Sequence, residues 1–169
     1  MNKPTLYLFS GLPGSGKTTL AQGLAKHTGA LFLRIDTVEQ GLRDLCQFDV
    51  QGEGYRLSCR IVSDNLKLGL SAIADCCNPI PLTRNEWQQV ALDANARYIN
   101  IEVTCSDRQE HQHRVETRVS SIANLEQPTW QEVIDRDYHP WDRDVIRIDT
   151  AGKSIQACVD ELIAAIELA

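Results

Sequence analysis

Residues Gly11-Leu12-Pro13-Gly14-Ser15-Gly16-Lys17-Thr18 follow directly on the apolar run Leu6-Tyr7-Leu8-Phe9. No other stretch constrains the chain so tightly. The eight residues match G-x-x-x-x-G-K-[ST], the phosphate-binding P-loop, and stand where that loop must stand, between a strand and a helix. Glycines let the backbone curl until successive N–H groups point inward at phosphate oxygens. A helix starting near Gly16 adds its partial positive charge. Lys17 supplies a point charge for β- and γ-phosphates, and the Thr18 hydroxyl is a ligand for Mg²⁺. The pattern predicts a nucleoside triphosphate site whose binding residues are Gly11, Pro13, Gly14, Ser15, Gly16, Lys17, Thr18 and the adjacent Thr19.

A chain of 169 residues fits one domain. Its 17 basic and 23 acidic residues give a net charge of −6, so no basic field exists to attract duplex nucleic acid or an anionic membrane. No stretch approaches the roughly 20 apolar residues of a membrane span. Met1-Asn2-Lys3-Pro4 leads into a strand rather than a secretory leader. The six cysteines show no C-x-x-C spacing, which favours reduced thiols and a cytoplasmic setting.

Residues 5–10 read as a strand buried on both faces. A helix over 16–28 presents Leu20, Ala21, Leu24 and Ala25 and stops at Gly29. Leu31–Ile35 is the second strand, with Asp36 at its carboxyl end. Thr37 and Gln40 fit a capping box; Asp36 paired with Glu39 is the other possible cap. In its functional reading, Asp36 lies beyond a strand end, where open α/β sheets bind ligands, and is placed to orient an acceptor hydroxyl. Arg43 is either solvated or a contact for substrate anions. A helix over about 55–70 precedes the strand Ser71–Asp75, which ends in an acid as a Mg²⁺-holding Walker-B strand does.

Cys77–Pro81 reads as an extended connector, and Thr83 with Glu86 as a capping box. Trp87, Val90, Ala91 and Ala94 form the core face of the next helix. Asn78 and Arg84, near the same sheet edge, are candidate substrate contacts. After the strand Tyr98–Val103, Ser106 and Gln109 fit a further capping box, opening a helix over 107–120 whose only strongly apolar residues are Val115 and Val119. So little apolar face keeps it out of the core. It is either a solvated helix with its own charge pairs, such as Glu110 with Arg114, or a lid carrying arginines over the phosphates. His111 and His113 are expected to face solvent. Thr129 caps a short helix, Asp144–Ile148 is the fifth strand, and a last helix presents Ile155, Val159, Leu162, Ile163 and Ile166. Alternating strands and helices imply a parallel sheet covered on both faces.

The chain resembles the small P-loop kinases grouped with chloramphenicol phosphotransferase, zeta-toxin and polynucleotide-kinase-like proteins, AAA-type kinases of the P-loop nucleoside triphosphate hydrolase superfamily. The resemblance rests on Gly11–Thr18, Asp36, Ala74–Pro79, Glu110–Arg118 and Asp149–Gly152. It implies a three-layer α/β/α fold with a five-stranded parallel sheet in the order 2-3-1-4-5 and a helical lid at about 108–140, all in one domain over 1–169. It implies ATP and Mg²⁺ as cofactors, the metal held by Thr18 and Asp75. Lys17, Asp36, Arg114 and Arg118 are then the catalytic set, with Arg114, Thr150 and Gly152 also on the nucleotide. One departure matters: where polynucleotide kinases carry an arginine three residues after the acceptor aspartate, this chain has Glu39. The expectation is a kinase for a small hydroxylated molecule rather than for nucleic acid; a nucleotide-binding switch or hydrolase is the rival.

Overall fold

The computed structural model describes residues 3–169; Met1 and Asn2, part of the N-terminal reading above, lie outside the described residues. The strands β1 (Thr5–Ser10), β2 (Leu31–Arg34), β3 (Ala72–Asp75), β4 (Arg97–Thr104) and β5 (Ile146–Asp149) form one parallel sheet. Its order is β2-β3-β1-β4-β5, as the resemblance implies. The helices are α1 (Lys17–Thr28), α2 (Ile35–Cys46), α3 (Glu53–Lys67), α4 (Pro81–Asp93), α5 (Arg108–Thr117), α6 (Trp130–Ile134) and α7 (Ile155–Glu167).

All six residues of β1 are buried because helices cover both sides of the sheet. Leu6 and Leu8 pack with Val62 and Leu66 of α3 and Trp87 and Ala91 of α4. Tyr7 and Phe9, one residue out of step, pack with Leu20 and Leu24 of α1 and Cys158 and Leu162 of α7. The helix after β1 therefore covers one face of the sheet and the helix after β3 the other. These neighbouring strands release their chains in opposite directions, and the crevice that opens between their carboxyl ends is where such sheets bind ligands. No helix of the described residues is long and apolar enough to cross a membrane.

Several local expectations change. Helix α2 starts at Ile35 with no side-chain cap, so neither Thr37 nor Asp36 caps it. Ile35 is buried against the α3–α4 face of the core, and that burial accompanies helix formation directly from β2. Asp36 thereby enters the first turn, where an acid favours the helix dipole. Helix α4 begins at Pro81 itself, a residue pre-set for the first helical position, and the Thr83 hydroxyl turns back to the Ile80 carbonyl at 3.1 Å. Asp107, not Ser106, caps α5 by accepting from the N–H groups of Gln109 and Glu110. The helix ends at Thr117, leaving Val119 92% exposed. Thr129 and Glu132 do form a capping box. All six cysteines are free.

Arg84 is not a substrate contact. It is fully buried, and its guanidinium donates to the carbonyls of Asn78, Pro79, His139 and Pro140 while lying 4.1 Å from the centre of the Trp141 ring. It ties the chain after β3 to the segment before β5. Asn78 is buried with it. Arg84→Ala should leave several buried carbonyls unpaired, each costing ~1–3 kcal/mol. Urea unfolding should show a loss of about 3 kcal/mol or more, and the melting temperature should fall by roughly 10 °C.

Candidate functional site

The loop between β1 and α1 holds its shape through backbone geometry that only glycine supports. Gly11 has φ +135°, and a Cβ there would lie 2.2 Å from the Val103 carbonyl oxygen of β4. Gly14 has φ +81°, with Val115 of α5 occupying the place a side chain would take. The Gly11 N–H donates to the Cys77 carbonyl at 3.1 Å, joining the loop to the chain leaving β3. Gly11→Ala must move either the loop or a central strand. Nucleotide affinity, measured by calorimetry, should weaken by about tenfold or more, ~1.4 kcal/mol.

Lys17 stands at the first turn of α1, and its ammonium donates to the Leu12 carbonyl of the loop at 3.3 Å. Beside it the Thr18 hydroxyl donates to the Asp75 carboxylate at 2.7 Å. Burial pushes the Asp75 carboxyl above its ordinary range; Lys17, the Thr18 hydrogen bond and Arg34 oppose the shift, in that order. Asp75 therefore gains from any cation brought to its free edge. Arg34, at the end of β2, places its Nε 3.9 Å from carboxylate oxygens of both Asp75 and Asp36. The Asp36 side chain is half exposed on the cleft side of α2.

A hydroxyl and a carboxylate suit a magnesium ion, which keeps several waters and takes phosphate oxygens to complete its shell. Among the described residues, no group of three or more His, Cys, Asp or Glu could hold a metal alone. Thr18 and Asp75 thus fit an ion carried in with a nucleotide.

Arg114 of α5 is held from three sides. It donates to the Thr150 hydroxyl at 2.7 Å and to the Thr150 carbonyl at 3.1 Å, and it pairs with Glu110 one turn earlier. Glu110 also accepts from the Gly152 N–H, and the Thr150 hydroxyl reaches the Ser15 carbonyl at 2.8 Å. The segment after β5, the arginine helix and the phosphate loop are therefore one hydrogen-bonded assembly. His111 faces inward instead of toward solvent. Its imidazole Nε2–H donates to the Pro13 carbonyl at 2.8 Å, and the ring meets Trp130 edge-on. Its sequence neighbourhood is polar, so no periodicity marked it. His113 is exposed.

These elements enclose a cleft of about 1190 Å³. Pro13, Gly14, Gly16, Lys17, Thr18, Thr19, Asp36, Asp75, Arg114, Arg118 and Thr150 all line it. Gly11, Ser15 and Gly152 do not: the first two face a smaller cavity of about 210 Å³ behind the loop, and Gly152 contributes its N–H to Glu110. Glu39 and Arg43 are on the wall and pair with each other at 3.7 Å. The wall also carries Arg34, Arg136 and Lys153, which the sequence did not single out. Arg34 is hidden inside an apolar strand and Arg136 in an irregular segment, where no motif spacing exists to expose them.

A family model described as an AAA domain matches residues 6–136. No curated protein sequence matches the chain. Among solved structures, the chain is similar to the APS kinase of Mycobacterium tuberculosis in complex with AMPPNP and APS. That likeness has a TM-score of 0.74 at 17% identity and covers 99% of both chains. It is also similar to a gluconokinase from Sinorhizobium meliloti 1021, with a TM-score of 0.69 at 14% identity over 99% of this chain and 94% of that one. A sugar kinase from Janibacter sp. HTCC2649 gives a TM-score of 0.67 at 16% identity, covering 99% and 96%. These likenesses concern the fold, a three-layer P-loop NTPase architecture.

Proposed function

The chain belongs to the AAA-domain family, and on that footing we propose that it is an ATP-dependent kinase transferring the γ-phosphoryl group to a hydroxyl of a small molecule. One observation carries the reading: a single cleft joins the phosphate loop, Lys17 and the Thr18–Asp75 pair to a carboxylate, Asp36, in the first turn of α2 just past β2. A carboxylate so placed suits an acceptor hydroxyl that must be aligned and deprotonated. The solved kinases with this fold, a gluconokinase and an APS kinase by name, act on small molecules and support the class. Within the family, the group of chloramphenicol phosphotransferase, zeta-toxin and polynucleotide-kinase-like proteins remains our assignment, as does one domain over 1–169 with a lid at 108–140.

Phosphoryl transfer asks for position and charge more than covalent chemistry. Loop N–H groups and Lys17 hold the β- and γ-phosphates. Mg²⁺, when bound, would be held by Thr18 and Asp75 and neutralises charge on the phosphate oxygens. Asp36 aligns the acceptor hydroxyl and takes its proton as the oxygen bonds to phosphorus and the β–γ bond breaks. Arg114 and Arg118 stabilise the charge that develops during transfer. Thr150, in contact with Arg114 and the loop, borders the nucleotide side, and closure by the lid keeps water from the phosphoryl group. We place this activity in the cytoplasm.

The test is ADP release from Mg²⁺-ATP against a panel of sugars, sugar acids, nucleosides, amino alcohols and hydroxylated antibiotics. Stimulation by a compound that emerges phosphorylated supports the kinase. Slow hydrolysis indifferent to every compound would support a nucleotide switch instead. Phosphorylation of oligonucleotide 5′-ends would redirect the reading to nucleic acid.

A further inference from the structure

The cleft wall carries seven cationic side chains against four carboxylates in a protein whose net charge is −6. Some of that excess has an account. Lys17 serves the phosphates, Arg43 pairs with Glu39, Arg114 with Glu110, and Lys153 with Glu161. Arg118 and Arg136 are left over, and Arg34 has only long approaches to Asp36 and Asp75.

Two of these three arginines are also poorly satisfied, and the third, Arg136, is exposed on the wall. The Nε of Arg34 and the Nε of Arg118 are both buried without a hydrogen-bond partner. Arg34 has one good bond, from Nη1 to the Ser121 hydroxyl at 2.9 Å, and its two carboxylate neighbours stand off at 3.9 Å. Among the described residues, neither Arg118 nor Arg136 has a carboxylate within 4.0 Å. Burial lowers the Arg118 pKa; Asp36 opposes this, while Arg34 and Arg136 add to it, so the four groups share one electrostatic neighbourhood. Arg84 is the internal contrast. Where this protein uses an arginine as a structural tie, every guanidinium nitrogen has a carbonyl partner. Buried N–H donors without partners, gathered on a cleft wall, describe a site awaiting an anion with forked acceptor oxygens.

We propose that Arg34, Arg118 and Arg136 form an anion-binding subsite beside Asp36, and that the acceptor is a hydroxylated acid. Its carboxylate, sulfate or phosphate group sits on these guanidiniums while its hydroxyl reaches Asp36. Arg118 is shared with the transferred phosphoryl group; Arg34 and Arg136 are specific to the acceptor. The assignment of the anion to an acceptor rests on the kinase reading above. It also accounts for Glu39 standing where polynucleotide kinases have an arginine: here the positive group comes from Arg34, two residues before the aspartate instead of three after it.

The decisive measurement is calorimetry on the protein loaded with Mg²⁺ and a non-hydrolysable ATP analogue. Inorganic sulfate, inorganic phosphate and glycerate are titrated separately, with glycerol as the neutral control. At least one anion should bind and glycerol should not; the tightest of the three identifies the anionic group. Arg34→Gln and Arg136→Gln should each weaken that binding by about tenfold or more, and Arg136→Gln should leave analogue affinity within about twofold. Arg34→Lys, which keeps the charge and loses the fork, should restore part of it. In turnover, matched acidic hydroxyl compounds should be preferred to their neutral forms, and Arg34→Gln should raise their KM far more than that of ATP. The inference is overturned if no anion binds the loaded protein, if binding survives in both glutamine variants, or if anion and analogue exclude each other. It is equally overturned if neutral acceptors serve as well as acidic ones. Failure of the kinase reading would look different: an analogue that does not bind, or ADP release that ignores every acceptor while the calorimetric anion site remains.

Discussion

Asp36→Asn should lower acceptor-dependent ADP release by about 10²–10⁴-fold, the usual contribution of a positioned general base. Slow background hydrolysis and nucleotide affinity should stay within about twofold, because the Asp36 side chain is half exposed and touches neither the loop nor Lys17. Asparagine preserves size and hydrogen bonding and removes only the proton acceptor. The competing role is visible in the fold: Asp36 is an acid in the first turn of α2, worth ~0.3–1 kcal/mol through the helix dipole. Chemical denaturation measures that role and turnover measures the other. A small loss of stability with acceptor-dependent turnover intact would leave Asp36 as a helix residue and no more.

Lys17→Ala should reduce turnover by about 10²–10³-fold, as loss of one pre-aimed charge at a developing anion does. The effect should reach both acceptor phosphorylation and background hydrolysis, which separates it from Asp36→Asn. The fold should tolerate the change. The ammonium makes one hydrogen bond, to the Leu12 carbonyl at 3.3 Å, and that carbonyl also accepts from the Ser15 N–H. The unfolding midpoint in urea should therefore stay near its original value. Asp75 should then lose its principal cationic support, so the variant's nucleotide binding should depend more steeply on magnesium than that of the original protein.

The two variants probe features of different legibility. Lys17 belongs to an eight-residue pattern in which each residue type is dictated by phosphate chemistry, so its place in the site could be read before any fold was known. Asp36 was legible only as an acid after a strand. Its neighbour Arg34 was not legible at all, because a strand residue's approach to a cleft depends on which strands lie beside it. Three of the four expected capping boxes failed in a consistent way. Thr37, Thr83 and Ser106 each resemble a cap by spacing, yet their helices begin elsewhere, at Ile35, at Pro81 and after Asp107. Burial of Ile35, the fixed backbone of Pro81 and the attachment of Ser106 to Asp149 outweighed a local preference worth about 1 kcal/mol. His111 misled for a related reason. Its helix is polar almost throughout, and only the close passage of the phosphate loop makes one of its faces an interior.

Residue order along the chain already dictates the phosphate loop, the alternation of strands and helices, the apolar runs of a sheet buried on both faces, and a core that includes Phe9, Trp87 and Leu162. Those are properties of neighbouring residues and short periods, and they persist wherever the segments are placed. Folding alone made Arg84 a buried tie, locked Arg114 to Thr150, and brought Arg34, Arg118 and Arg136 to the cleft that Asp36 lines. Each of these joins residues far apart along the chain. A guanidinium becomes structural or free for a ligand according to the carbonyls and carboxylates that folding brings within hydrogen-bond reach, and sequence spacing holds no record of that distance.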